Sequence, residues 1–165
     1  MSDATMQRVF ELTQRTNQLN YRGRQISRFD LDQLKAGGSR RGLIMSCRDK
    51  FGDYGIIGFM VFDTSAWMIE DFFMSCRVQR KKVEQALMGY LQDLAAGSAG
   101  SGIRVHYKRS KRNGPALEML SEMGFQRTEG DEEEAIFAAP AAIEHRDVVA
   151  LKVNARIVNA RAMAS

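Results

Sequence analysis

The chain has 165 residues, of which 44% are hydrophobic and 27% charged, a balance typical of one folded domain with its own core. Its formal net charge of +4 is unevenly distributed, because nine Lys and Arg residues lie between Arg77 and Arg112, opposed there by Glu84 and Asp93. No apolar run approaches the roughly 20 residues that span a bilayer, and no signal-like segment is present, so we expect neither a membrane nor a secreted protein.

Two cysteines, Cys47 and Cys76, are too few for a disulfide framework in a chain of this size. We therefore expect free thiols and a reducing, cytoplasmic location. No spacing of His, Cys, Asp and Glu suits a metal ion, so the sequence predicts no metal cofactor. The basic segment, residues 77–112, predicts an anionic partner.

The first half of the chain predicts two helices followed by three strands. Apolar residues at helical spacing predict a helix over residues 6–19, and Ser27 as an N-cap, with Gly37 and Gly38 as a stop, predicts a shorter second helix. Three runs rich in Ile, Val, Phe, Trp and Met then predict an antiparallel meander. These runs are residues 43–48, 55–62 and 67–74.

The second half changes period after Cys76. A helical stripe predicts the longest helix from about Val83 to the glycine-rich break that begins at Gly97. A strand over residues 103–108, a helix opened by Pro115 and a strand over residues 136–138 follow. The acidic run 129–134 predicts a solvated turn. We divide the chain into a domain over residues 1–139 and a helical or partly ordered extension over residues 140–165.

This order of elements predicts an α+β domain with a mixed, mainly antiparallel sheet flanked by helices. It resembles the GNAT (acyl-CoA N-acyltransferase) fold. In that fold a strand-to-helix junction holds the pyrophosphate of an acyl-CoA, or the phosphopantetheine of a carrier protein, on exposed helix N–H groups. The matching junction here is the segment 72–83, which is basic.

Five stretches match a narrower family. They are residues 11–20 (ELTQRTNQLN), 48–53 (RDKFGD), 72–78 (FFMSCRV), 113–115 (NGP) and 123–125 (MGF). In wording and order they are similar to the C-terminal domain of FkbH-like proteins, of the HAD-superfamily subclass IIIC, over about residues 7–127. RTNQLN and SCRV are the most specific parts.

The resemblance implies acyl transfer. In the FkbH-like family this domain and a phosphatase-like HAD domain load a glyceryl unit, or a related acyl group, onto an acyl carrier protein for polyketide extender-unit synthesis. A cysteine of the family carries the acyl group as a thioester. For this chain the resemblance implies acyl-CoA or phosphopantetheine as substrate carrier, an acyl carrier protein as partner, and a separate HAD-type phosphatase as a further partner.

The sequence departs from these patterns at three places. The Asp-x-Asp at residues 30–32 lies in a helical pattern, so we expect no HAD chemistry from this chain alone. Arg80 and Lys82 stand where the family's phosphate-binding turn has glycines. Leu120 stands where GNAT enzymes commonly place a tyrosine that protonates the leaving thiolate. The sequence therefore leaves open whether the domain is catalytic.

Three acidic or thiol side chains are the catalytic candidates. Cys76 is the candidate nucleophile, because it lies at a strand end beside Arg77 and just before a helix N-terminus, where positive potential favours the thiolate. The alternative is a buried core cysteine. Glu70 and Asp71 are alternative general bases, since alternation along a strand turns one inward and the other outward.

The candidate binding site for the thioester carrier is the basic junction, where backbone N–H groups near Phe73 and Met74 are expected to polarise the thioester carbonyl. The candidate cofactor-binding residues are Phe73, Met74, Arg77, Val78, Gln79, Arg80, Lys81, Lys82 and Asn113. The candidates for substrate recognition are Thr16, Asn17, Gln18 and Asn20. Helix capping is the alternative role for the second set, and a simply solvated turn is the alternative for the cations.

The function predicted first is an acyltransferase-type domain that binds acyl-CoA or an acylated carrier protein and passes the acyl group on through a Cys thioester. The alternative is a non-catalytic GNAT-like module that docks a carrier protein or a separate HAD phosphatase. A nucleic-acid binder is disfavoured, because Tyr107 is the one aromatic residue near the basic clusters.

Overall fold

The computed structural model describes residues 3–79, 81–96, 102–143 and 156–158. The helices are α1 (Asp3–Arg15), α2 (Arg28–Lys35), α3 (Val83–Ala96) and α4 (Gly114–Glu122), with a 3-10 turn at Cys76–Val78. The strands are β1 (Arg40–Asp49), β2 (Gly52–Asp63), β3 (Met68–Met74), β4 (Arg104–Lys108), β5 (Gln126–Gly130), β6 (Glu134–Ala138) and β7 (Arg156–Val158). None of the described helices is long and apolar enough to cross a membrane.

The strands form one sheet in the order β5-β6-β4-β3-β2-β1-β7. All neighbouring pairs are antiparallel except β3 and β4, which run parallel because α3 crosses between them. The predicted meander is confirmed as β1, β2 and β3. The predicted α+β class, with a mixed and mainly antiparallel sheet, is confirmed as well.

The parallel pair is short. β3 and β4 pair at Met68 with Arg104 and at Ile69 with Val105, and beyond these positions they diverge. Residues 19–21, here called the inserted segment, lie in the resulting gap, where Asn20 forms a bridge with Phe73. The first helix is predicted to run to residue 19, but α1 ends at Arg15 because the chain turns to pair with the sheet.

Hydrophobic side chains form one layer on each face of the sheet. Val9 of α1 and Leu34 of α2 pack with Phe59 in one layer, whereas Leu87 of α3 packs with Met60 in the other. Phe59 and Met60 are consecutive, so the strand period of two sends them to opposite faces. The sheet thus separates α1 and α2 from α3 and α4, and the end of β3 contributes to both layers, through Phe72 and Phe73.

Local signals in the sequence account for the helix starts. Ser27 accepts a hydrogen bond from the Asp30 N–H while the Asp30 carboxylate accepts one from the Ser27 N–H, which completes a capping box at α2. Pro115 lies in the first turn of α4, where its missing N–H has no cost. Both starts are where the sequence predicts them.

Two strands lie outside the prediction. β5 overlaps the acidic run that is predicted as a turn, and all five of its residues are exposed, so it carries no apolar alternation. β7 lies within the predicted helical extension and pairs with β1. Ile143 packs in the larger core cluster, so the chain still contributes to the domain beyond residue 139. Residues 144–155 and 159–165 of the extension lie outside the described residues.

Candidate functional site

A half-open cavity of about 640 Å³ lies between α1 and the end of β3. Its wall on one side comes from α1 and the residues that follow it, and its wall on the other comes from the end of β3 and the 3-10 turn. The lining residues are Arg8, Glu11, Leu12, Arg15, Thr16, Asn17, Gln18, Leu19, Ile56, Met74, Ser75, Cys76, Arg77 and Arg112.

The cavity brings together the two most specific sequence motifs. Residues 16–18 of the RTNQLN stretch and residues 75–77 of the SCRV stretch line it together. They meet because the inserted segment pairs with β3: the Met74 N–H donates to the Leu19 carbonyl over 3.1 Å. Backbone pairing therefore aligns two stretches that are distant in the chain.

Positive charge dominates the cavity wall. Arg8, Arg15, Arg77 and Arg112 line it, against the single acidic residue Glu11. Hydrogen bonds from Gln7 and Arg8 lower the pKa of Glu11, so its carboxylate neutralises one arginine at neutral pH. Within the described ranges, the other three arginines form no salt bridge. Guanidinium groups without a carboxylate partner suit phosphate or carboxylate ligands, which they bind in a bidentate manner.

Cys76 is the exposed cysteine and begins the 3-10 turn, whereas Cys47 is buried in the core. The side chain of Ser75 caps this turn by accepting a hydrogen bond from the Arg77 N–H over 3.4 Å. The thiol of Cys76 thus lies on the cavity wall and is open to a ligand. No group of three or more His, Cys, Asp or Glu that could hold a metal occurs in the described part of the chain.

The described residues of the basic turn beyond Arg77 do not line the cavity. Val78 is buried in the core, and Gln79 follows it as the last residue of the turn. The Lys81 ammonium donates to the Tyr54 hydroxyl over 2.6 Å and lies 4.2 Å from the Tyr54 ring centre. Arg80 lies outside the described residues.

Lys82 adopts a left-handed backbone with φ of 58°. This conformation is disfavoured for a residue with a side chain and is natural for glycine. The turn before α3 therefore has, at Lys82, a backbone geometry that glycine adopts without strain. The side chain of Lys82 is exposed.

The backbone of β3 does not present a free donor at Met74. Phe73 is fully buried, and the Met74 N–H is already bonded to Leu19. N–H groups near Phe73 and Met74 are expected to polarise a thioester carbonyl, but the Met74 N–H already donates to the Leu19 carbonyl. A different donor is needed in this structure.

Asn113 lies in the interior, and all its side-chain polar atoms bind protein groups. Its amide N–H groups donate to the Asn20 carbonyl and the Lys108 carbonyl, each over 2.9 Å. Its side-chain oxygen accepts from the Tyr107 hydroxyl over 3.1 Å and from the Ser110 N–H over 2.8 Å. The structure thus places this predicted cofactor residue between the inserted segment and β4.

Asn20 is also buried, and its side-chain amide donates to the Thr16 and Arg24 carbonyls. Asn20 therefore does not line the cavity, whereas Thr16, Asn17 and Gln18 do. The Thr16 hydroxyl donates to the Leu12 carbonyl over 2.9 Å and so caps the end of α1. The side-chain amides of Asn17 and Gln18 are exposed and form no hydrogen bond with a described residue.

Glu70 and Asp71 both lie in ion pairs outside the cavity. Asp71 is fully buried and accepts two hydrogen bonds from the Arg24 Nε, over 2.9 and 3.2 Å. Glu70 pairs with Arg40 near the surface, over 2.6 Å. Neither carboxylate approaches Cys76 along the cavity wall, so their role as general bases stays a prediction.

The second basic cluster, Lys108, Arg109, Lys111 and Arg112, is only partly neutralised, since Lys108 is its one member paired with a carboxylate among the described residues. The Lys108 ammonium pairs with Glu134 over 2.9 Å, and the Arg109 Nε donates to the Glu132 carbonyl. Of the described residues in this cluster, Arg112 is the one that lines the cavity. The basic segment is therefore split, and Arg77 and Arg112 meet at one site.

Sequence reasoning missed the contribution of α1. Arg8, Leu12 and Arg15 recur at spacings of four and three, which places them on one helix face. This face lines the cavity, although Leu12 also fits a core stripe. The signal was the pair of arginines on one helix face with Leu12, directly before residues 16–18.

No protein-family model and no curated protein matches the sequence. Among solved structures, the ribosomal-protein-S18-alanine N-acetyltransferase from Escherichia coli aligns with a TM-score of 0.60 at 12% identity, over 89% of this chain and 94% of that chain. A spermidine N-acetyltransferase from Vibrio cholerae aligns with a TM-score of 0.53 at 14% identity, over 83% and 88%. Neither structure supports the finer resemblance to FkbH-like proteins. Both have the GNAT fold, and their similarity over most of this chain shows that it has the GNAT fold that its order of elements predicts.

Proposed function

We propose that this chain is an acyltransferase domain that binds the thioester of acyl-CoA, or of an acylated carrier protein, in the arginine-lined cavity. The observation that carries the proposal is the meeting of one exposed thiol, Cys76, with Arg77 and Arg112 in an open cavity. This cavity lies at the strand-to-helix junction of a GNAT fold, and the two structural neighbours are named as N-acetyltransferases.

Cys76 takes the acyl group in this proposal. Its thiolate attacks the thioester carbonyl, a new C–S bond forms at Cys76, and the C–S bond to pantetheine breaks. The proton lost from Cys76 ends on the released pantetheine thiol, so the exchange needs no oxidant or reductant. The acyl group then passes to a thiol of the acceptor: a new C–S bond forms at that thiol, the C–S bond to Cys76 breaks, and the acceptor's proton returns to the Cys76 sulfur.

The arginines bind the anionic part of the carrier. CoA has a pyrophosphate and a carrier protein's arm has a phosphodiester, and guanidinium groups match both geometries. Motif resemblance adds the finer proposals: the acyl group is a glyceryl or related unit, the carrier is an acyl carrier protein, and a separate HAD-type phosphatase acts with this domain in the cytoplasm.

The test is intact-mass analysis after incubation with acetyl-CoA and, separately, with an acylated carrier protein. We expect an adduct of the acyl mass that hydroxylamine removes, that is absent in Cys76→Ser and that persists in Cys47→Ser. Arg77→Ala and Arg112→Ala should each weaken CoA binding about tenfold, as lost charge-assisted hydrogen bonds do. Arg48→Ala is the matched control, because Arg48 is exposed and pairs with Asp53 outside the cavity.

An adduct that survives in Cys76→Ser would contradict the role of the thiol. Equal CoA affinity in Arg77→Ala, Arg112→Ala and Arg48→Ala would contradict the role of the cavity. Both outcomes are readable from the same set of proteins.

The alternative function is a docking module without catalysis. Two observations favour it: the Met74 N–H is bonded to Leu19, and Leu120, at the place of the usual tyrosine, is fully buried in the core. In that case CoA or the carrier protein binds and shifts the melting temperature, but no adduct forms on Cys76.

A further inference from the structure

The gap between β3 and β4 is filled by the chain itself. The Tyr21 N–H donates to the Phe72 carbonyl over 3.2 Å, and the Lys108 N–H of β4 donates to the Tyr21 carbonyl over 2.9 Å. Together with the Met74 bond to Leu19, these contacts make the inserted segment a short strand between β3 and β4. A ligand arm that entered this gap would have to break all three bonds.

Side chains anchor the inserted segment from several directions. Tyr21 is fully buried, with its ring centre 4.9 Å from that of Phe72. Asn113 donates to the Asn20 carbonyl, and Arg24, just beyond the segment, binds the buried Asp71. Displacing the segment would break the bond from the Asn113 amide to the Asn20 carbonyl and would disturb the adjoining Arg24, the partner of the buried Asp71 carboxylate, which is unfavourable.

The turn after the segment is equally constrained. Gly23 has φ of 62°, and a Cβ placed on it would lie 2.5 Å from the Ser110 Cβ. The chain thus passes against the loop that precedes α4 with no room to shift. These contacts describe a permanent part of the sheet rather than a lid.

A thioester bound in the cavity therefore needs a donor for its carbonyl oxygen from the cavity wall. Asn17 and Gln18 line the cavity with Cys76, and their exposed amides form no hydrogen bond with a described residue. An amide N–H is a suitable donor to a carbonyl oxygen that gains negative charge during attack. Both residues directly precede the inserted segment, whose backbone pairing with β3 brings them to the cavity wall.

We propose, on the basis of the function proposed above, that the side-chain amides of Asn17 and Gln18, and not the Met74 N–H, stabilise the thioester oxyanion during transfer to Cys76. The inserted segment stays in the gap throughout. The amides donate to the oxygen as the tetrahedral intermediate forms and release it as the C–S bond to pantetheine breaks.

The test is the rate of Cys76 acylation by acetyl-CoA, followed by intact mass over a range of acetyl-CoA concentrations. We expect Asn17→Ala and Gln18→Ala to lower the maximal rate about a hundredfold when combined, within the range for lost oxyanion donors. The half-saturating concentration should stay unchanged, because the amides act on the transition state. Gln25→Ala is the control, since Gln25 is an exposed amide that donates to the Gln14 carbonyl outside the cavity.

A wild-type rate in the double variant would overturn this proposal and leave the proposed function standing. Absence of acylation in the unmodified protein would overturn both. Amide exchange of Met74, Tyr21 and Lys108, measured by NMR with and without saturating CoA, tests the gap directly. We expect slow exchange in both states, and loss of protection on CoA binding would overturn the proposal.

Discussion

Glu70 and Asp71 are neighbours in β3, yet they meet different surroundings. Strand alternation sends Asp71 into the interior, where Arg24 binds it and Arg22 lies 3.9 Å away. Glu70 points to the surface and pairs with Arg40, whose side chain is 44% exposed. A buried carboxylate with a guanidinium partner is a structural element, whereas an exposed pair contributes little.

We expect Asp71→Ala to lower the free energy of unfolding by about 3 kcal/mol, because it leaves the Arg24 charge without its buried partner. Glu70→Ala should change the free energy by less than about 1 kcal/mol, since its pair is solvent-exposed. Urea denaturation of both variants measures the difference. Equal losses would mean that burial of Asp71 does not set its contribution.

At the scale of elements, the inserted segment connects β3 and β4 where these two strands diverge. Its place depends on the turn at Gly23, where a positive φ and the contact with Ser110 both exclude a side chain. Gly55 also has a positive φ, of 65°, but has nothing within 4 Å of its Cβ position. Substituting the two glycines therefore distinguishes the cost of backbone strain, present at both, from the cost of a steric clash, present at Gly23 alone of the two.

We expect Gly55→Ala to cost about 1 kcal/mol from the left-handed backbone. Gly23→Ala should cost about 2 kcal/mol more, because the added methyl group collides with Ser110. Thermal or urea denaturation measures both, and Ser110→Gly in the Gly23→Ala background should restore most of the difference. A Gly23→Ala variant as stable as Gly55→Ala would contradict the close contact.

Element prediction succeeded where the signal was local. The capping box at Ser27, the proline at the start of α4 and the apolar runs of β1 to β3 all act within a few residues. β5 was missed because it is an edge strand exposed on both faces, which has no alternation to detect. β7 was missed because its pairing with β1 joins residues far apart in the chain.

At the scale of the whole molecule, pH affects stability through two carboxyl groups whose pKa values are shifted in opposite directions. The Arg48 hydrogen bond lowers the pKa of Asp53, so the folded state loses stability as pH falls through that range. Burial raises the pKa of Glu84 in α3, where its Oε2 has no hydrogen-bond partner among the described residues. Because the folded state then holds the Glu84 proton more tightly than the unfolded state, Glu84 lowers stability as pH rises.

We expect Glu84→Gln to match the unmodified protein in acid, at pH below about 4, where Glu84 is protonated in both states. The variant should become the more stable of the two as pH rises through the raised pKa of Glu84, and the gain should then stay constant. Urea denaturation between about pH 4 and pH 8 measures the gain, and Glu118→Gln, on the exposed side of α4, is the control. A gain that shrinks as pH rises would contradict the burial of Glu84.

The candidate site was partly predictable. Cys76, Arg77 and residues 16–18 were singled out by motif, and the structure brings them to one cavity. Asn113 was predicted to hold the cofactor, yet its side-chain amide is hydrogen-bonded to the inserted segment and to β4. A sequence shows that an asparagine is polar, but not whether a ligand or the chain's own backbone satisfies it.

The sequence by itself determined the order of the four helices and of five of the seven described strands, the basic junction and the motifs on either side of the cavity. Propensity, periodicity and capping depend on residues close together in the sequence, so they can be identified from a single sequence. Only the tertiary structure decided that residues 19–21 fill the gap between β3 and β4, and that Arg8 and Arg15 join Arg77 and Arg112. Those outcomes depend on pairing between distant segments, which side-chain identity alone does not specify.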